Sequence, residues 1–202
     1  PPAAAPLGYA VLDVETTGFG EHDRVVQVAI TQVAPDGRVQ AEWATLVDPL
    51  RNPGPVHIHG ITPERLIGAP AFHDVAGRVG QLLTGRVLVA HNADFDYRML
   101  HTELTRARVQ DPVRWRLCTI RLARRVGVRV DSYSLAALAD HFGLHNPGAH
   151  DARYDTWTTV QLLRLLVARA RQTVLPLTVC GGAAEWAGPH RVASRSAGFE
   201  PV

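Results

Sequence analysis

The chain has 202 residues, 46% apolar and 20% charged, with 17 glycines, 14 prolines and a formal charge of only +2. It is long enough for one globular domain with a real core and has no run of about 18 apolar residues to span a membrane. All 21 basic residues are Arg and none is Lys, which excludes a Walker A phosphate loop and Schiff-base chemistry, since both need the Lys amine. In chain order, residues 1–6 lack the layout of a signal peptide; with no starting Met they read as a flexible leader of a fragment or trimmed chain. Residues 7–14 are apolar and β-rich, a buried strand. Residues 25–34 and 38–47 flank the turn signal Pro35-Asp36-Gly37 and pair as a hairpin, so the first three strands form an antiparallel meander. Thr62-Pro63-Glu64 has the form of a helix start, and a helix is expected from about 71 to Gly85. A short strand at 86–90, a helix at about 94–107, a fifth strand at 114–118, an amphipathic helix on Leu135, Leu138, Ala139 and Phe142, and a long helix over 152–171 complete the domain. The expected fold class is α/β: a central mixed five-stranded sheet, antiparallel meander then parallel strands, flanked by helices. Residues 7–171 form the domain and 172–202 a tail poor in periodic apolar residues.

The two cysteines, Cys118 and Cys180, lie far apart in sequence. They suggest neither a disulfide framework nor a zinc site, so a reducing cytoplasm is the expected setting.

Three acidic clusters stand at element ends. Asp13 and Glu15 are two apart at the end of the first strand and so share a face. Two carboxylates there repel unless a cation lies between them, although a solvated acid pair is an equal reading. In His91-Asn92-Ala93-Asp94-Phe95-Asp96, Asp94 suits the first turn of a helix for capping and dipole reasons, while Asp96 could face the same cleft. In His150-Asp151-Ala152-Arg153-Tyr154-Asp155, the His lies on the irregular approach to the long helix, which leaves it free to converge with Asp155. Carboxylates from three element ends are the donor set of a hard divalent cation, and a histidine of near-neutral pKa can deprotonate a water beside it.

Taken together and in this order, Asp13-Val14-Glu15-Thr16-Thr17-Gly18, His91-Asn92-Ala93-Asp94-Phe95-Asp96 and His150-x-Ala152-x-Tyr154-Asp155 resemble the three motifs of the DEDDh 3′–5′ exonucleases, especially the DNA polymerase III epsilon subunit and ribonuclease T. The segment His59-Gly60-Ile61-Thr62 extends the resemblance, which covers roughly residues 7–171. It implies an RNase H-like fold and two Mg²⁺ ions, with Mn²⁺ able to substitute. Asp13, Glu15 and Asp155 would hold one ion, Asp13 also the second, and Asp96 waters of its shell. His150 would be the general base. Thr16, Thr17, Gly18 and Phe19 would hold the terminal nucleotide, with His59, His91 and Asn92 counted among the substrate-binding residues and His91-Asn92 positioning the helix of Asp96. Gln27 departs from the family, where Glu is common; its strand-interior place puts little in doubt. Asp94 and Asp151 are taken as bystanders.

Eight arginines lie between 106 and 129 against the single acid Asp111, a solvated face or a phosphate-tracking surface with Trp115 as a stacking residue. Gln172, Leu175 and Leu177 resemble the short sliding-clamp motif that follows the nuclease domain in epsilon subunits. The expected partners are a nucleic-acid 3′ end, single-stranded DNA first, then a sliding clamp or DNA polymerase, or a second copy in a homodimer, and no membrane. The expected function is release of nucleoside 5′-monophosphates in DNA proofreading or repair. The alternatives are RNA 3′-end trimming and a non-catalytic nucleic-acid- or polymerase-binding module, which would have lost a metal ligand. The His-Asp pairs at 22–23, 73–74 and 150–151 offer a further reading, an HD-type phosphohydrolase, which needs an all-α domain.

Overall fold

The computed structural model describes residues 6–146, 148 and 150–172. Its centre is a sheet of strands β1 (Tyr9–Thr16), β2 (Val25–Val33), β3 (Val39–Leu46), β4 (Val87–Ala90) and β5 (Trp115–Cys118), in the order β3-β2-β1-β4-β5. The first three are antiparallel neighbours, and β4 and β5 run parallel to β1, as the sequence predicts. Pro35-Asp36-Gly37 makes the β2–β3 turn: the Ala34 carbonyl accepts from Gly37 N–H at 2.9 Å, and Gly37 takes a φ of 90° that a side chain would oppose.

β1 is central, and both its faces are covered, which explains its nearly continuous apolar run. Tyr9 and Val11 face a core with Leu122, Leu138, Leu162 and Leu166. These come from helices α4 (Thr119–Arg125), α5 (Leu135–Phe142) and α6 (Ala152–Gln172). Ala10, Leu12 and Val14 face a second core with Phe72, Val79, Met99 and Leu100, from α2 (Phe72–Leu83) and α3 (Ala93–Arg106). A one-turn helix, α1 (Val56–His59), precedes α2.

Three local differences from expectation matter. β1 runs to Thr16, so Asp13 and Glu15 lie within the strand. Its register against β2 slips between Glu15 and Thr16, a bulge that turns the strand end and re-aims its side chains. Thr62-Pro63-Glu64 opens only a 3₁₀ turn, Glu64–Leu66. α4 falls inside the arginine run, and its buried Thr119, Leu122 and Ala123 pack beneath the basic residues. The sheet rules out the all-α HD reading. Among the described residues, no helix is long and apolar enough to cross a membrane.

The topology sets the site. β1, β4 and β5 are parallel, so their carboxyl ends share one edge of the sheet, where ligand crevices of open α/β sheets form. β1 ends there with its acids, β4 leads there through His91 and Asn92 into α3, and α6 starts across from it.

Candidate active site

Asp13 and Glu15 continue the β1 face that packs on α6, and each is half-buried. Asp155, in the first turn of α6, reaches the same place. Glu15, His150 and Asp155 each offer a ligand atom within 4.8 Å of the other two. Asp96 arrives from α3 on the opposite side; the residue is 3% exposed and its carboxyl is held by backbone bonds from Val14 and from its own residue.

The electrostatics are those of crowded acids. Burial pushes Glu15 up to about 7, helped by Asp155 and Asp151. Burial, chiefly, takes Asp96 up to about 8, with Glu15 adding to the rise against the backbone hydrogen bonds. Asp13 stands well above the usual carboxylate range through burial, then Asp96, Asp155, Glu15 and Asp151. Asp155 is also raised by burial, opposed by the N–H of His150 at 2.9 Å and the Asn146 amide at 3.2 Å. None of the four belongs to an ion pair with arginine among the described residues; those pairs lie elsewhere, among them Arg24–Glu103, Arg121–Asp94 and Arg153–Asp151. A divalent cation would supply a counter-charge that relieves such a set.

His150 sits exposed at the mouth of the cluster with φ of 65°, and Asn92 at the start of α3 has φ of 76°. For non-glycine residues this conformation costs about 1–3 kcal/mol and persists where the surroundings enforce it. Two of the four such residues described thus fall in the motifs.

The 16–24 turn is built largely from side-chain locks. Thr16 Oγ1 donates to the Gly18 carbonyl at 2.8 Å and Thr17 Oγ1 to Asp23 at 2.6 Å. A Cβ at Gly18 would meet the Asp23 carboxylate at 2.6 Å, so a side chain there would push Asp23 off its bonds to Thr17 and Gly20. Arg98, on α3, donates to the Phe19 carbonyl at 2.9 Å. The Phe19 ring is 74% exposed and lies 5.5 Å from the Phe95 ring, an open aromatic pair beside the acids.

The remaining histidines of the motifs are occupied within the fold. His59 is buried; its Nδ1 accepts from Ile61 N–H at 3.0 Å, which leaves Nε2–H facing the Pro53 carbonyl at 3.3 Å. His91 Nε2 lies 2.9 Å from the Tyr133 carbonyl and Nδ1 lies 2.8 Å from Thr119 Oγ1. Both rings brace the loops around the cleft.

The chain matches the family model described as Exonuclease, RNase_T, over residues 10–163. The chain belongs to the exonuclease family. It is 31% identical to the DNA polymerase III subunit epsilon of Treponema pallidum over 80% of this chain and 77% of that one. It is 31% identical to the 3′-5′ exonuclease DinG of Staphylococcus epidermidis over 77% of this chain but only 17% of DinG. Among solved structures it resembles exonuclease X in complex with 5′ overhanging duplex DNA (29% identity, TM-score 0.64, 84% of this chain and 95% of that one). It shares the RNase H-like fold of E. coli exonuclease I in complex with a dT13 oligonucleotide (21% identity, TM-score 0.71, 82% and 42%). Several matched relatives are thus far longer than the stretch they share with this chain.

For this exonuclease domain, one detail differs from the sequence reading and three add to it. Trp115 is a core residue, 8% exposed within the α4–α6 core, and cannot stack on a substrate base. Of the eight arginines in the run, four have partners within the fold. Arg106 bonds the carbonyls of Asp23 and Glu21, Arg116 lies over the Tyr97 ring at 3.9 Å, Arg121 pairs with Asp94, and Arg124 lies over Tyr133 at 4.7 Å. Asp151, outside the expected ligand set, is held within the fold: it pairs with Arg153 at 2.7 Å and accepts from Gln27 at 3.1 Å. Asn146, whose amide bonds Asp155 at 3.2 Å, is a further residue of the site, and the sequence Asn-Pro-Gly just before His150 is the signal for it. Gln172 ends α6, whereas Leu175 and Leu177 lie outside the described residues.

Proposed function

We propose that this domain is a metal-dependent 3′–5′ exonuclease that hydrolyses the terminal phosphodiester of a DNA strand, releases nucleoside 5′-monophosphates, and serves proofreading or repair. The observation that carries this is the convergence of Glu15, His150 and Asp155 within 4.8 Å, over the electrostatically linked Asp13 and Asp96. The donor set fits a hard cation: carboxylate oxygens predominate, their pKa values are raised by burial first and by neighbouring acids after it, and among the described residues no arginine pairs with them. Asp13, Glu15 and Asp155 would hold one Mg²⁺, with Asp13 and Asp96 serving the second. Bound ions supply positive charge for the phosphate oxygens and favour deprotonation of the attacking water.

The protein's own groups do the rest. His150, exposed at the mouth, accepts the proton of the attacking water. Its backbone N–H holds Asp155, so base and ligand are fixed as one unit. The Thr16–Gly18 backbone and the exposed Phe19 ring seat the last nucleotide, and stacking on an aromatic face accepts any base. His59, His91 and Asn92 shape the walls. A DNA polymerase is the proposed partner, from the likeness to an epsilon subunit. Gln172, Leu175 and Leu177 form the proposed clamp-binding segment.

Mass spectrometry of the products tests this reading. Nucleoside 5′-monophosphates should accumulate from a DNA oligonucleotide with a free 3′-hydroxyl and be absent when the last linkage is a 3′–3′ inversion. Nucleoside 3′-monophosphates, or equal cleavage of the inverted substrate, would contradict it.

A further inference from the structure

Gln27 is 4% exposed and stands directly opposite Glu15 in the β1–β2 ladder, at the last regular pair before the bulge. Its amide spans to the start of α6, 124 residues away. Nε2 donates to Asp151 Oδ1 at 3.1 Å, and Oε1 accepts the N–H of Ala152 at 3.0 Å. Ala152 is the first residue of α6, whose leading N–H groups have no carbonyl within the helix to bond. Gln27 therefore caps α6 from another strand. Asp151 is gripped from the other side by Arg153, which bonds it through Nε at 3.0 Å and Nη2 at 2.7 Å.

We propose that Gln27 is a positioning residue: it fixes the His150–Asp155 segment at its height against Glu15, acting through Asp151 and Ala152. The segment needs such an anchor. His150 is held in the left-handed region, and its N–H meets the Asp155 carboxylate, so a shift of the helix start moves base and ligand together. An amide satisfies both contacts without a change of protonation, because one end must donate to a carboxylate and the other accept from an N–H. An ionised Glu here could bond Ala152 but would face Asp151 as a like charge. This inference rests on the exonuclease reading for its catalytic consequence, while its metal-site consequence is independent of it.

The test is Mn²⁺ titration by calorimetry, with kcat, KM and thermal melting, on Gln27→Met, Gln27→Glu, and the exchange Gln27→Glu with Asp151→Asn. The exchange restores one amide and one carboxylate across the contact. Partners that orient metal ligands typically cost 10–100-fold in metal affinity or activity when lost. Gln27→Met should therefore weaken Mn²⁺ binding and lower kcat by about that factor, with KM for the oligonucleotide within about threefold. Gln27→Glu should be similarly impaired, and the exchange should recover most of the loss. Wild-type Mn²⁺ affinity and kcat in folded Gln27→Met would overturn the proposal, as would an exchange no better than Gln27→Glu alone. If Gln27→Met fails to fold, the comparison of Gln27→Glu with the exchange decides. A wild type that binds Mn²⁺ but shortens no 3′ end would refute the exonuclease reading, and the Mn²⁺ titrations would still judge Gln27.

Discussion

Arg24 meets the buried carboxylate of Glu103 through two bonds, Nε to Oε1 at 2.6 Å and Nη2 to Oε2 at 3.1 Å. This fork joins the end of the 16–24 turn to α3, the helix that carries Asp96, while Glu103 also receives Val25 N–H at 3.3 Å. The turn expected to seat the nucleotide and the helix bearing Asp96 are therefore one mechanical unit. Removing one partner of a buried pair strands the other and costs about 3–5 kcal/mol. Arg24 is partly exposed and can recover some solvation, so Glu103→Ala should cost roughly 2–3 kcal/mol by urea unfolding. It should also raise KM for an oligonucleotide; unchanged stability would show that the fork contributes nothing.

His150 and His91 should separate cleanly. His150 is exposed, so His150→Ala should leave the melting temperature within a degree or two and lower kcat by about 10²–10⁴-fold, the usual worth of a general base. His91 is braced at both nitrogens, and its Ala variant should lose about 1–3 kcal/mol of stability for the stranded partners. Melting curves beside single-turnover rates read both effects, and the reverse pattern would exchange their roles.

Stability should depend on pH in an unusual direction. Glu15 at about 7 and Asp96 at about 8 hold protons that the unfolded chain, with carboxylates near 4, has already released. The native state binds more protons, so stability falls as pH rises. The favourable contribution is complete below about pH 4 and is lost as pH climbs through 7 and 8. Other carboxylates act oppositely at low pH, so the window to measure is pH 5–9 in EDTA. Mg²⁺ should restore stability most at the alkaline end, and Asp96→Asn should raise the metal-free melting temperature above wild type at pH 8 while lowering activity. A metal-free stability that climbs from pH 5 to 9 would contradict the crowded-acid account.

Phe19 offers a test of substrate seating without a stability confound. Its ring is 74% exposed, so Phe19→Ala should melt as wild type does. Loss of one stacked base is worth about 1–3 kcal/mol, so KM should rise roughly 5- to 150-fold. Filter binding with a metal-free oligonucleotide complex checks the same quantity, and unaltered affinity would remove Phe19 from the seat.

Much of this was legible in the chain because it is encoded locally. Asp13 and Glu15 announce a shared face by their spacing, and Pro35-Asp36-Gly37 announces its hairpin. What was not legible depends on distant partners. The role of Gln27 is set by residues 151 and 152, and nothing near position 27 points there. The dense arginines of 119–125 drew attention from Leu122, Ala123 and Val126, whose spacing buries one side of α4. Trp115 was read by its chemistry, but strand alternation turns it into the core. The bulge after Glu15 belongs to the pairing of two strands and has no mark in either alone.

The central claim is that these acids and His150 shorten strands from the 3′ end with a bound divalent ion. It is tested most directly with 5′-labelled single-stranded DNA and RNA of matched sequence, in Mg²⁺, Mn²⁺ or EDTA, for wild type, Asp13→Ala and His150→Ala. The account predicts a ladder that shortens stepwise from the 3′ end, faster on DNA, abolished by EDTA and by Asp13→Ala, and reduced by at least about 100-fold in His150→Ala. Wild-type protein that binds both strands and shortens neither, or a ladder indifferent to EDTA, would contradict it.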